Sequence, residues 1–285
     1  VIDGAVAGLI SGGAYAIIGT LVMLHYRMVG VLNFAQAITG TLGLYVTIVL
    51  MERGVALPLA VIAGVLTGLA LGLAIGAVMT RWFAESSSEA RTTVTVAFLV
   101  GLVAVGFRLF GTDPRNVADL FGGASAQIGN VFVPFSALAA VGLALLLAVV
   151  LDQFLKRSVL GVRLRAIAER PTTSTLVGIP TAALSLAVWG FGGAVAALSI
   201  MLVATTRPTD FLTLGLLVLP GLAAALIGLF RSFIGVALGG LAIGVLEGVA
   251  GTVQATSLYR PAISFLLVLA VVLVLQRRER WDAAR

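Results

Sequence analysis

The sequence has no cysteine, a single histidine, and charged residues at only 11% of its positions. Without cysteine there can be no disulfide and no thiolate metal site, and the redox compartment leaves no mark. His25 stands alone at the end of an apolar run, with no second ligand at metal spacing, and reads as an interfacial side chain. No P-loop sequence occurs, so the chain does not itself hold a nucleotide in that way. Ser11, in Ser-Gly-Gly, has no histidine or carboxylate placed to activate it as a nucleophile. Together these absences argue against an enzyme.

What the chain does have is apolar length. Hydrophobic residues make up 60% of it and the mean hydropathy is +1.14, a combination that a soluble domain of 285 residues does not reach. The apolar runs are continuous over about 20 residues, the span of a bilayer core, whereas a membrane barrel shows short segments of alternating polarity. The expected fold class is therefore all-α, a polytopic transmembrane bundle in contact with membrane lipid. Nine segments are expected: Gly4–Tyr26, Val31–Met51, Leu57–Phe83, Thr92–Phe110, Pro134–Leu155, Thr181–Ala204, Leu212–Phe230, Phe233–Val253 and Leu258–Gln276. Some of these can be re-entrant or broken. The chain begins with Val and has no basic stretch ahead of its first apolar run, so that run reads as a span rather than a signal peptide, with a natural start further upstream.

The formal charge of +6 would point to nucleic acid in a soluble protein, but here the basic residues lie between spans and call for no nucleic-acid partner. One set of alternate loops holds Arg27, Arg81, Arg91, the cluster Lys156, Arg157, Arg163, Arg165 and Arg170, then Arg231 and the C-terminal arginines. The other holds Arg53, Arg115, Arg207 and Arg260, with Arg108 at a span end beside it. The richer set belongs in the cytoplasm, which puts the C-terminus inside and the N-terminus and the 111–133 loop outside.

Glycine, at 34 residues, falls largely inside the spans at four-residue spacing: Gly64, Gly68, Gly72 and Gly76 on one segment, Gly235 with Gly239 and Gly240 with Gly244 and Gly248 on another. Such stripes let helix backbones approach where lipid supplies no hydrophobic drive. The two striped segments cross in opposite directions and share the pattern GVLTG at Gly64 and GVALG at Gly235, a hint of an inverted-topology repeat.

Polar groups inside the spans need a partner or a cavity. Glu247 is the clearest, either structurally paired or on a pathway. Asn33 and Gln36 follow Gly30, and Asn33 either caps a helix or marks a helix broken beside a pathway. The longest polar cytoplasmic stretch, 156–180, places Leu160, Leu164, Ile167 and Ala168 on one helical face before Pro171 ends the helix. That arrangement suits either a groove on another protein or a lipid surface.

In this stretch LGVRLRAIAERPTTSTLVGIP resembles the cytoplasmic coupling segment of permease subunits of branched-chain amino-acid ABC importers. GLISGGAYAIIGTLVMLHYRMVGVLNFAQ near the N-terminus resembles the same family's opening, and IGLFRSFIGVALGGLAIGVLEG its glycine-rich C-terminal segment with a matching Glu. The likeness runs through nearly the whole chain. It implies a single transmembrane permease domain over residues 1–285, with a coupling segment at 156–180 in which Gly161, Arg163, Arg165, Ala166, Glu169, Gly178 and Ile179 match the ATPase contact. It also implies a second homologous permease subunit, two ATP-binding subunits that carry the ATP and Mg, an extracytoplasmic solute-binding protein, and a bacterial cytoplasmic membrane. No cofactor is expected in this chain. Asn33, Phe34 and Ala35 match the family's Asn-Phe-Ala signature, and Asn33, Gln36 and Glu247 are the pathway candidates. Asp113, Arg115 and Asp119 in the outer loop are candidates for the binding-protein contact, with a plain solvated loop as the alternative.

Two departures bear on the cargo. Gln36-Ala37-Ile38 stands where the family usually has His-Gly-Glu, and Leu229, Phe230 and Phe233 occupy a turn usually richer in glycine. A branched-chain or other hydrophobic amino acid is the expected cargo, with aromatic acids or urea-like amides as the alternative. From other classes, an ion-coupled secondary transporter using Glu247 and a membrane scaffold without transport remain open.

Overall fold

A computed structural model describes residues 2–115, 117, 120–128, 131–204 and 210–252, together with isolated positions between 262 and 273. Eleven helices and two short strands occur among the described residues: α1 (Ile2–Val29), α2 (Gln36–Glu52), α3 (Leu57–Trp82), α4 (Ser88–Phe110), β1 (Ser125–Ile128), β2 (Val131–Pro134), α5 (Phe135–Arg157), α6 (Val159–Glu169), α7 (Pro171–Leu176), α8 (Thr181–Ala204), α9 (Phe211–Gly215), α10 (Val218–Ile227) and α11 (Phe233–Ala250). Six of them, α1, α3, α4, α5, α8 and α11, are long and apolar enough to cross a membrane. The protein is a multi-pass, all-α membrane bundle.

The expected second and seventh segments differ from continuous spans. Helix α2 begins only at Gln36, leaving residues 30–35 outside any helix, and the seventh is split into α9 and α10 at Leu216 and Leu217. The ninth, Leu258–Gln276, lies largely outside the described residues. Within the expected outer loop, β1 and β2 pair antiparallel, Ser125 opposite Pro134 and Ile128 opposite Val131.

Helices α1 and α8 run through the middle, while α4 lies at the periphery with most of its surface exposed. Their packing is reciprocal. Helix α1 packs on α11 and α10, and α8 packs on α3 and α2. Glycine sets both seams. A Cβ on Gly8, Gly12, Gly240, Gly244 or Gly248 would strike backbone across the α1–α11 seam, and one on Gly68, Gly72 or Gly193 would do so between α3 and α8. The α11 stripes part company: Gly240, Gly244 and Gly248 face α1, whereas Gly239 meets Ile227 and Ala224 of α10. With lipid as solvent, this close backbone contact and its dispersion energy replace hydrophobic burial as the packing force.

Helix ends follow ordinary capping chemistry. Ser87, Ser158 and Ser232 each accept a hydrogen bond from a backbone N–H in the first turn of α4, α6 and α11. Asp210 caps α9, accepting from the Thr213 N–H at 2.9 Å and from the Thr213 hydroxyl at 2.6 Å. Burial raises its carboxyl, but the Thr213 bonds outweigh that and hold it below the usual carboxylate range.

One end is strained. Helix α10 closes with Leu229 N–H donating to Leu226 O and Phe230 N–H to Ala225 O, a Schellman pattern whose first residue past the cap is normally glycine. Leu229 and Phe230 take φ of 55° and 51° there. A left-handed non-glycine residue costs about 1–2 kcal/mol. Because Leu229 is 43% exposed, Leu229→Gly is expected to stabilise the fold by up to ~1 kcal/mol after the glycine's larger unfolded-state entropy is deducted, read as a higher melting temperature in detergent. A lower melting temperature would mean the Leu229 side chain holds the turn.

Candidate functional site

The stretch 156–180 folds as two short helices. Helix α6 starts at its Ser158 cap, and Gly161 lies so close to the Leu155 backbone that a Cβ would sit 2.6 Å from Leu155 Cα, which forces the sharp α5–α6 corner. Leu164 and Ile167 are buried toward α5, α1 and α8. Leu160, expected on that face, is exposed, as are Val159 and Val162. Pro171 ends α6 and opens α7 as its first residue, a position where its missing N–H costs nothing. Helix α7 closes with a Schellman motif: Gly178 N–H donates to Thr175 O and Ile179 N–H to Ser174 O, with Gly178 at φ 81°. Local geometry therefore accounts for Gly161, Gly178 and Ile179. Arg163, Glu169 and Arg170 are exposed, Arg165 and Ala166 half-buried, and Leu176 and Val177 stand out at 83% and 70% exposure. The surface is a cationic shelf flanked by unpaired apolar side chains.

A second polar site joins α1, α2 and α8. Asn33 is not the α2 cap, a position held by Ala35 without a side-chain bond. Instead its Oδ1 accepts from Ala35 N–H at 3.1 Å, and its Nδ2 donates to Gln36 Oε1 at 2.8 Å. Gln36 Nε2 then donates to Gly192 O at 2.8 Å, tying the start of α2 to α8. His25 is fully buried here rather than interfacial. Its Nδ1 lies 2.9 Å from Leu21 O and its ring meets the Trp189 ring edge-on at 4.7 Å. Gly192 makes room, because a Cβ there would collide with the imidazole. Replacing Gln36 by Leu is expected to lower stability by about 2 kcal/mol through the unpaired Asn33 amide and lost Gly192 contact. Thermal unfolding of Gln36→Leu in detergent checks this, and an unchanged melting temperature would show that the network carries no net stability.

The non-helical segment before α2 is buried against the first two turns of α4, which satisfies its backbone. Ser88 Oγ donates to Gly30 O at 2.7 Å, Arg91 Nη1 to Val29 O at 3.0 Å and Thr95 Oγ1 to Leu32 O at 2.8 Å, while Phe34 N–H donates to Thr95 Oγ1 at 3.1 Å. Irregular backbone at membrane depth persists only where protein supplies such partners. The sequence showed Arg91 only as a loop cation and gave Ser88 and Thr95 no role, although their spacing of three, then four, puts one polar stripe on an otherwise apolar helix.

Glu247 is buried in α11 and accepts a hydrogen bond from Tyr15 of α1 at 2.7 Å, beside the Gly8–Gly244 contact. Tyr15 lies ten residues before His25 on α1, roughly 15 Å away at 1.5 Å per residue. The pathway candidates thus form two sites, Asn33 with Gln36 and Glu247 apart. In the outer loop Asp113 is exposed, and Asp119 lies outside the described residues. Arg115 is engaged within the chain: it pairs with Glu52 at 2.9 Å, donates to Phe110 O at 3.1 Å and lies 6.0 Å from the Tyr45 ring centre. It pins the loop to the end of α2.

No curated protein matches the chain. Among solved structures, a chain of PsaBC from Streptococcus pneumoniae in complex with Fab is similar over 96% of this chain and 89% of that chain, at 14% identity and a TM-score of 0.49. The family model described as the permease component of branched-chain amino-acid transport systems matches residues 4–275. That match takes in the Gln36 junction, the 156–180 shelf and the glycine seams alike, and the chain belongs to this family of transport permeases.

Proposed function

We propose that the chain is one permease subunit of an ATP-driven ABC importer that moves a branched-chain or other hydrophobic amino acid inward across a bacterial cytoplasmic membrane. The observation that carries this reading is the 156–180 shelf in a chain of permease family: exposed cations and apolar side chains on short helices rooted by Leu164 and Ile167. Arg163, Arg165, Ala166 and Glu169 meet an ATP-binding subunit, and Gly161, Gly178 and Ile179 give the segment its shape. The working complex holds two permeases, two ATP-binding subunits and an external solute-binding protein. Residues 1–285 act as a single permease domain with the N-terminus outside and the C-terminus in the cytoplasm.

Reciprocal packing of α1 on α11 and α8 on α3 supports an inverted repeat of nine segments, as does the shared Gly-Gly-Ala at Gly12-Gly13-Ala14 and Gly192-Gly193-Ala194. Rocking at these seams would alternate access. Asn33 and Gln36, in a broken stretch beside α8, are the stronger pathway candidates, and Asp113 and Asp119 remain candidates for the binding-protein contact. Aromatic acids or urea-like amides are the alternative cargo. Ion coupling is the alternative mechanism, but Glu247 is held by Tyr15 and anchors a helix seam.

Proteoliposomes holding the chain with its partner permease, its ATP-binding subunits and the external solute-binding protein separate the readings. Uptake of labelled leucine that needs internal ATP and ignores an imposed proton or sodium gradient supports the importer. Gradient-driven uptake without ATP would overturn it.

A further inference from the structure

No charged residue lies between Asp119 and Asp152, so the β1–β2 hairpin and most of α5 form one neutral stretch. The two faces of the hairpin differ. Val133, opposite Ala126, is buried and packs on Ile10 of α1 and Ala137 of α5, whereas Phe132, opposite Gln127, points away and is 65% exposed. Phe135 N–H donates to Ala124 O at 3.0 Å, which closes the base of the hairpin on the first residue of α5. From there the exposed side chains of α5 continue as Phe135, Leu138, Leu145 and Val149, an apolar stripe on one side of a membrane span.

Depth follows from the Ile10 contact. The α1 span begins at Gly4, six residues earlier, so β2 lies roughly 9 Å inside that end at 1.5 Å per residue. That is the boundary between headgroups and acyl chains, where an interfacial apolar face sits about 5–10 Å deep. The hydrocarbon itself is excluded, because a two-stranded ladder satisfies one edge of each strand and the outer edges need water or headgroups. Neutrality favours lipid over a protein partner, since a docking surface carries a polar or charged rim that fixes its register. We propose that the hairpin inserts into the headgroup region of the adjacent leaflet with Phe132 as its anchor, and so ties the 111–133 loop to the membrane beside α1 and α5. This anchoring rests on the membrane bundle alone and stands apart from the importer reading.

The full chain in phosphatidylcholine nanodiscs, carrying a thiol-linked fluorophore at Ser125→Cys or at Asp113→Cys, tests this with lipids spin-labelled near the headgroup. Both positions are exposed in the same loop, and Ser125 shares the outward face of Phe132. Quenching should be at least ~3-fold stronger at Ser125→Cys than at Asp113→Cys, as expected of an inserted segment beside a solvated one. Adding Phe132→Asp should lower the ratio of inserted to free hairpin by ~10-fold, the loss that one aromatic anchor gives, and bring quenching at Ser125→Cys toward that at Asp113→Cys. Phe132→Trp should keep it, because indole suits the same interface. Phe132 is exposed, so neither change should unfold the chain. Equal quenching at the two labelled positions, or quenching at Ser125→Cys that survives Phe132→Asp, would overturn the proposal. So would a Ser125→Cys label shielded from aqueous iodide but untouched by the spin-labelled lipid, since the face would then meet a second copy of the chain.

Discussion

Gly244→Leu should leave no properly folded protein to purify. Gly244 lies at the centre of the α1–α11 seam, where a Cβ would land on the Gly12 backbone and the Gly8 carbonyl, and neither helix has a flexible side chain there to yield. Even modest overpacking of a tight core costs 1–3 kcal/mol, and a leucine against rigid backbone costs on the order of 3 kcal/mol or more. That is a large fraction of the roughly 5–15 kcal/mol by which folded proteins are stable. Separating α1 from α11 also strips the Tyr15 bond from Glu247 and leaves a carboxylate in an apolar seam. Size-exclusion chromatography after mild detergent extraction reads the outcome. A Gly244→Leu protein that elutes as a sharp wild-type peak would show that the seam is looser than its backbone contact implies. Gly101 offers the contrast: a Cβ there meets nothing, so Gly101→Leu should purify normally.

Arg163→Glu should abolish ATP-driven uptake without unfolding the chain. Arg163 is exposed on α6, and an exposed substitution usually shifts stability by no more than about 0.5 kcal/mol. In a docked complex the reversed charge would face a surface arranged for a cation, a mismatch worth several kcal/mol. Uptake in proteoliposomes is expected to fall at least ~100-fold, as a penalty of about 2.8 kcal/mol gives. Arg163→Lys should keep most activity. Full uptake by Arg163→Glu, at unchanged melting temperature, would remove Arg163 from the coupling surface.

Long apolar runs made α1, α3, α4, α5, α8 and α11 legible within a few residues, because a span needs little beyond length and hydropathy. The late start of α2 was not legible. Val31, Leu32 and Phe34 look like helix interior, and what holds them out of the helix comes from Ser88, Arg91 and Thr95, some 60 residues further along. Local pattern cannot report such long-range bonds. The α9–α10 break left one clue, Pro220, which sits comfortably only in the first turn of a helix and so announces a new start just before it. The β1–β2 hairpin left another in the Gly129-Asn130 pair.

Burial of His25 escaped for a different reason. A lone histidine at a span end carries no sign of the glycine that will face it, and only the fold brings Gly192 and Trp189 to it. On the 156–180 shelf the sequence showed which residues were polar and where the helix stopped, but it misjudged the face. Leu160 turns outward because Gly161 draws the start of α6 against Leu155, a close approach that an amphipathic pattern cannot express. The outward apolar residues enlarge the surface open to a partner.

Because these 285 residues contain no cysteine, a single thiol introduced among them reacts at one place. The most direct test is to introduce Val162→Cys on α6 or Leu176→Cys on α7, assemble the chain with its ATP-binding subunits, and apply a short thiol cross-linker. A cross-link from each to an ATP-binding subunit is expected, and none from Phe132→Cys on β2. Cross-links from Phe132→Cys but from neither helix position would contradict the coupling role of the 156–180 shelf.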